Sequence, residues 1–223
     1  MPYHLPLNCI SCNKEIQKAL YDDRFLPNLG TMLIGFMVIA AVIIVLSVLA
    51  FRRYERSRTG DGALLNPVPL TTTGLILGIG VGGFIDGILL HQILQWHNML
   101  SNRIAPDTVV GKAVNMFWDG IFHAFTLIAV IIGIASLARL LRRPEINPAP
   151  QLLYGGMLAG WGLFNLVEGL IHHQILKLHN VMEFTPDPDP WNYGILASGV
   201  LFMLIGTRIV YAKRYYPVRL KDR

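Results

Sequence analysis

The chain has 223 residues, 53% of them hydrophobic and only 15% charged, a balance too apolar for an ordinary soluble domain. The net charge of +5 invites a nucleic-acid reading. However, thirteen of the nineteen Lys and Arg residues fall in three short segments beside apolar runs, and they form no basic patch. The expected partner is the lipid bilayer, not nucleic acid.

Residues 1–28 are polar, contain Pro2, Pro6 and Pro27, and lack the charged start and apolar core of a cleavable signal. They are expected to form an outward-facing segment. Within it, "CISCNK" places Cys9 three residues before Cys12. Two cysteines cannot make a Cys₄ site within one chain, and Asn13 after the pair rules out covalent c-type haem attachment. Cys9 and Cys12 are therefore expected as a separate site: a disulfide, or a thiolate pair suited to Cu(I).

Five runs then follow that are long enough to span a bilayer, which takes about 20 apolar residues. They are Leu29–Phe51, Leu70–Leu100, Ala113–Leu137, Leu152–Ile175 and Trp191–Ala212. Run length points to helices and not to a barrel, whose strands are short and alternating. The first run with its basic connection occupies 29–58, a four-helix membrane domain is expected over 66–214, and 215–223 is a basic tail. Arg52, Arg53, Arg56 and Arg58 follow the first run. Arg139, Arg142 and Arg143 follow the third, and Arg208, Lys213, Arg214, Arg219, Lys221 and Arg223 lie at the end of the last or beyond it. The positive-inside rule puts these on the cytoplasmic side, with the N-terminus outside and the C-terminus inside.

A shift of 82 residues lays the second run on the fourth. "DGILLHQILQWHN" (Asp86–Asn98) meets "EGLIHHQILKLHN" (Glu168–Asn180) with seven identities in 13 positions, and both begin with an acid. Gly74, Gly78, Gly80 and Gly87 fall on Gly156, Gly160, Gly162 and Gly169. Two runs separate the copies, so the expected fold is all-α: five transmembrane helices with a parallel internal repeat, spans 2–3 and 4–5. The glycine pairs four apart allow close helix approach, and packing alone accounts for them. The second halves match less well. "WDGIFHAF" from Trp118 meets "WNYGILAS" from Trp191, so that Asp119 meets Asn192 and His123 meets Leu196.

The remaining signal is polar. Six of the seven histidines (His91, His97, His123, His172, His173 and His179) and the acids Asp86, Asp119 and Glu168 gather at the outward ends of runs two to four. Helical spacing puts Glu168, His172 and His179 on one stripe and Asn115, Asp119 and His123 on another, while Asp86 and His97 fall nearly in line. Any single histidine here has a packing explanation, and His97 and His179 could sit at the wet interface. Packing does not require six on one side, and ionisable groups in lipid are costly. Imidazole with carboxylate is ligand chemistry for copper(II), iron or zinc. Nine candidates suffice for two ions, or for one ion plus residues that orient its ligands. Asp119 and Glu168 are expected to ligate or orient, and Asp86 to support from behind. A b-type haem between His91 and His173 is disfavoured by three carboxylates.

"DGILLHQILQWHNM", "WDGIFHAF" and "GWGLFNLVEGLIHHQILKLHNV" resemble the signatures of a bacterial family of predicted multi-span inner-membrane proteins of unknown function, over roughly residues 70–210. The resemblance implies that the nine polar residues occupy signature positions and that the N-terminal segment and first run are additions. It also implies a copper context, because members are sometimes encoded beside copper-assembly factors of cytochrome oxidase. The functional expectation is a membrane metal-binding protein that handles or delivers copper. The alternatives are a di-iron or copper oxidase or oxygenase, and an accessory subunit of a respiratory or oxygenase complex, with other subunits or a second copy as partners.

Overall fold

The computed structural model describes residues 10, 13–57 and 65–214. Cys9, Cys12, Arg58 and the tail 215–223 lie outside the described residues. Among the described residues the chain is helical, with one isolated bridge between Asn66 and Ile146. The helices are α1 (Lys14–Leu20), α2 (Phe25–Ser57), α3 (Val68–Ile85), α4 (Val109–Leu140), α5 (Pro150–Glu168) and α6 (Asp189–Arg214). α3 and α5 each run on into a π-helical segment, Asp86–Ile93 and Gly169–Ile175 respectively.

Local chemistry sets several of the starts. The Asn13 side chain accepts from the Glu15 and Ile16 amides at the head of α1, and Thr108 accepts from Gly111 at the head of α4. Pro150 opens α5, where the missing N–H costs nothing. Buried Ile16 and Leu20 hold α1 down, and Phe25 packs its ring 5.3 Å from that of Trp118.

α3 and α5 meet backbone to backbone at their glycines. A Cβ on Gly156 would stand 2.6 Å from the Thr71 carbonyl oxygen, and one on Gly74 would stand 3.0 Å from the Gly156 Cα. Gly78 abuts the Met157 backbone, and Gly160 abuts that of Leu75. Adding 82 to one partner and subtracting it from the other turns the Gly78–Met157 contact into Gly160–Leu75 and Gly156–Thr71 into Gly74–Leu153, and leaves Gly74–Gly156 as it is. α4 packs on α3 where Gly80 meets Thr126 and Val130, and α6 packs on α5 where Gly162 meets Gly199 and Met203. The small-xxx-small spacing thus places whole helices, as close approach in lipid requires.

Among the described residues, four helices are long and apolar enough to cross a membrane: Phe25–Ser57, Val68–Ile93, Val109–Leu140 and Asp189–Lys213. The fourth expected run, Leu152–Ile175, lies within the helical stretch Pro150–Ile175 but falls short of the others in apolar character. Five glycines between residues 150 and 170, together with Asn165 and Glu168, lower its hydropathy. α5 lies between α3 and α6 with much of its surface buried, so it presents less surface to lipid than its neighbours. Exposed leucine, isoleucine and valine side chains cover the outer faces of α2, α4 and α6.

The second run was expected to continue to Leu100, but the helix ends at Ile93. Gln95 takes a left-handed backbone at φ 51°, and Lys177, 82 residues on, does the same at φ 48°. The chain turns at both points, and His97 and His179 therefore sit in connections and not on helices. The two connections hold each other: the Asn102 amide donates to Leu178 O at 3.0 Å and the Glu183 amide to Trp96 O at 3.0 Å. At the opposite end, the Asn66 amide donates to Glu145 O and that of Asn147 to Asn66 O.

Candidate metal centre

The π-helical segments decide which side chains face inward. Their i→i+5 hydrogen bonding brings residues five apart onto one face, where an α-helix would pair residues four apart. Asp86 Oδ2 consequently lies 3.3 Å from His91 Nε2, and Glu168 Oε1 lies 2.9 Å from His173 Nε2. The helical-stripe expectation paired Glu168 with His172 instead. That ring is 3.8 Å away at Nδ1 and faces Gly35 of α2.

The connections supply the other imidazoles. His97 Nδ1 lies 2.7 Å from the Val181 carbonyl and His179 Nδ1 lies 3.0 Å from the Met99 carbonyl, so each loop anchors the histidine of the other. Since a carbonyl only accepts, both rings carry a proton on Nδ1; His97 Nε2 is left without a partner, while His179 Nε2 lies 3.0 Å from Glu168 Oε1. His91 Nδ1 is held in the same way by Asp119 Oδ1 at 2.9 Å. Proton on one ring nitrogen, lone pair on the other, with the ring fixed by a backbone or carboxylate acceptor, is the arrangement of a metal-ligating histidine.

The candidate donor atoms converge. Donor atoms of His91, His97 and His179 lie within 4.8 Å of one another, as do those of Glu168, His173 and His179. An ion bonded to such donors at about 2.0–2.2 Å would draw them in slightly. Asp86, His91, His97, Glu168, His173 and His179 are all at most 8% exposed. Asp86 Oδ2 and the Nε2 atoms of His91 and His97 have no hydrogen-bond partner. Buried polar atoms are rarely left in that condition, and each costs about 1–3 kcal/mol. An ion among them would satisfy the whole set, so the residues fit a metal.

Asp119 does not join the donors. Its carboxylate accepts from His91, from the Met99 amide at 2.8 Å and from Asn98 Nδ2 at 2.8 Å, so it orients a ring and clamps the connection. Asn192 plays the clamping part in the other half: it accepts from the Val181 amide at 2.9 Å and donates to Asn180 Oδ1 at 2.9 Å. Asp86, expected to support from behind, points an unpaired oxygen at His91 and is a candidate donor. His123 stays apart, stacked on Phe84 and touching Gly87, the counterpart of Leu196 against Gly169. The His91–His97 and His173–His179 ring centroids are 4.3 and 4.6 Å apart. Sequence spacing did not single out Ser101 and Glu183, which hydrogen-bond across the two connections just outside the centre. Burial pushes the Glu183 carboxyl up, against the opposing pull of the Ser101 hydroxyl.

A family described as predicted membrane protein, DUF2243, matches residues 73–213. The chain belongs to the DUF2243 family. The match takes in all six donors together with Asp119 and Asn192, and it leaves out α1 and α2. No curated protein and no solved structure matches the chain. What DUF2243 supplies is membership of a predicted membrane family, and the chemistry has to be read from the residues themselves.

Proposed function

We propose that this protein is an integral membrane metal-binding protein whose centre, at the outward end of five spans, holds copper. The observation that carries the reading is the set of three imidazoles held through Nδ1, with their other ring nitrogens converging beside two buried carboxylates, one of which, Glu168, already meets His179 Nε2 at 3.0 Å. Imidazole-rich donor sets suit copper(II), with iron and zinc next. Pro150–Ile175 counts as the fifth span because it runs alongside α3 through the bundle. Arg52, Arg53, Arg139, Arg142 and Arg143 lie toward the end where Asn66 meets Ile146, opposite the histidines, which supports a cytoplasmic inner end and an outward centre.

We also infer that the two halves are copies related by a twofold axis along the membrane normal. Supporting this, Asp86/His91/His97 and Glu168/His173/His179 correspond at 82 residues, as do the contacts of Gly74, Gly78, Gly156 and Gly160. The burial of every donor makes the centre one that retains its ion. Copper handling would then mean holding, and delivery would require the two clasped connections to part. The second reading, a dinuclear copper or di-iron redox centre, is favoured by two donor groups that overlap at His179.

Metal analysis by mass spectrometry on protein purified in mild detergent tests this. Copper at one or two equivalents per chain is expected, lost in His97→Ala and in His173→Ala and kept in His123→Ala. Two irons per chain would move the assignment to a di-iron centre. A metal-free wild type that also fails to take up copper, iron or zinc on reconstitution would sink the metal reading.

A further inference from the structure

His172 is left over from the metal centre. It is 2% exposed, neither ring nitrogen has a hydrogen-bond partner, and position 90, its counterpart 82 residues earlier, is leucine. The ring turns toward α2, outside the family match, where Gly35 makes room for it. A Cβ there would stand 2.7 Å from the ring's Cε1 and 2.8 Å from its Nε2.

Beside the ring is a cavity of about 10 Å³, lined by Gly35, Phe36, Ile39, Phe122, Phe164 and Glu168 along with His172. That is room for one molecule the size of water. Phe36 and Ile39 also form the inner wall of a second space, about 340 Å³, between α2, α3 and α4. This outer groove is wholly apolar, with Ile43, Ile79 and Phe125 in its lining. It opens where Ile44, Ile128 and Ile132 are about half exposed, on faces directed at lipid. The sequence of elements runs from bilayer to apolar groove, then the Phe36–Ile39 wall, then the cavity at His172. Glu168 follows, 3.8 Å from His172 Nδ1 and 3.0 Å from the metal-facing His179 Nε2.

We propose that this is a lipid-side port by which dioxygen, taken from the bilayer, reaches the cavity at His172 next to the metal centre. Size selects the ligand, because the inner cavity has no room for a ring or a chain. The apolar approach excludes ions and favours an uncharged gas, which dissolves better in hydrocarbon than in water. His172 contributes a hydrogen-bonding side chain at the inner end. Only the destination rests on the metal reading; the port itself does not.

The test has two arms. Xenon, an apolar probe somewhat larger than dioxygen whose entry also requires the cavity walls to give, is applied under pressure to crystals of metal-free protein. A xenon site bounded by Phe36, Ile39 and His172 is expected in the wild type and should be absent in Ile39→Trp, with Ile39→Phe as the milder block should the larger ring disturb folding. In metal-loaded, reduced protein, oxidation by dioxygen should slow at least tenfold in the blocked variant, while oxidation by the bulky, charged ferricyanide ion and metal content stay unchanged. An ordered water in the cavity with no xenon, or equal dioxygen rates in wild type and variant, would overturn the port. A xenon site in a protein that binds no metal would leave the port standing and remove the metal reading alone.

Discussion

Asp119→Asn puts the proposed metal centre to a quantitative test, because the substitution keeps shape and changes hydrogen-bond sense. In the wild type, the fully buried carboxylate accepts three hydrogen bonds: from His91 Nδ1, the Met99 amide and Asn98 Nδ2. An asparagine has one acceptor oxygen. If that oxygen keeps the Met99 amide, as Asn192 keeps Val181 in the other half, the new NH₂ faces Asn98 Nδ2. If the side chain flips, it meets His91 Nδ1–H. Either way a donor opposes a donor, and His91 loses the negative charge that raises its basicity as a ligand. Loss of such an orienting partner costs about 10–100-fold in metal affinity, or about 1.4–2.8 kcal/mol. The assay is competition between the purified protein and a chelator of known copper(II) affinity, at fixed pH. Wild-type affinity in the variant, within threefold, would mean that His91 needs no orienting carboxylate, and the argument that assigns it as an anchored ligand would fail.

Alanine at three glycines should give two different results by thermal melting. Gly160→Ala places its methyl against the Leu75 backbone, which is not free to move aside, and should cost about 1–3 kcal/mol. Gly120→Ala and Gly194→Ala meet nothing within 4 Å and should be neutral or stabilising by up to about 1 kcal/mol. Equal effects at all three would mean that α3 and α5 do not meet as described. Glu183 has its carboxyl raised by burial, so its protonated form favours the folded state. That contribution is complete below the ordinary value of 4.5 and fades as pH rises through the raised folded value. Metal-free wild type should lose melting temperature as pH rises from 4.5 toward neutrality, and Glu183→Gln should flatten that part of the profile. A variant profile parallel to the wild type would place the burial elsewhere.

Composition and run length alone determined that this chain is helical and belongs in a membrane, because only long apolar helices satisfy their own backbone in lipid. The 82-residue correspondence and the inventory of histidines and acids were equally legible, since residue identity is what they consist of. Choosing among nine candidates was not possible from sequence. The spacing argument assumed α-helical periodicity through Asn98 and Asn180, and it assigned His172 to the stripe of Glu168. The structure replaces the last two turns with π-helix, which brings His91 and His173 inward and turns His172 toward α2. It then ends both helices near Gln95 and Lys177, so that His97 and His179 reach the centre from crossed connections. No local pattern carries that information: each ring is held by a carbonyl some 80 residues away, and only the packing of α3 on α5 brings the two loops together. The sequence thus supplied the donors, and tertiary structure decided which of them face one another, because that choice depends on where the helices stop.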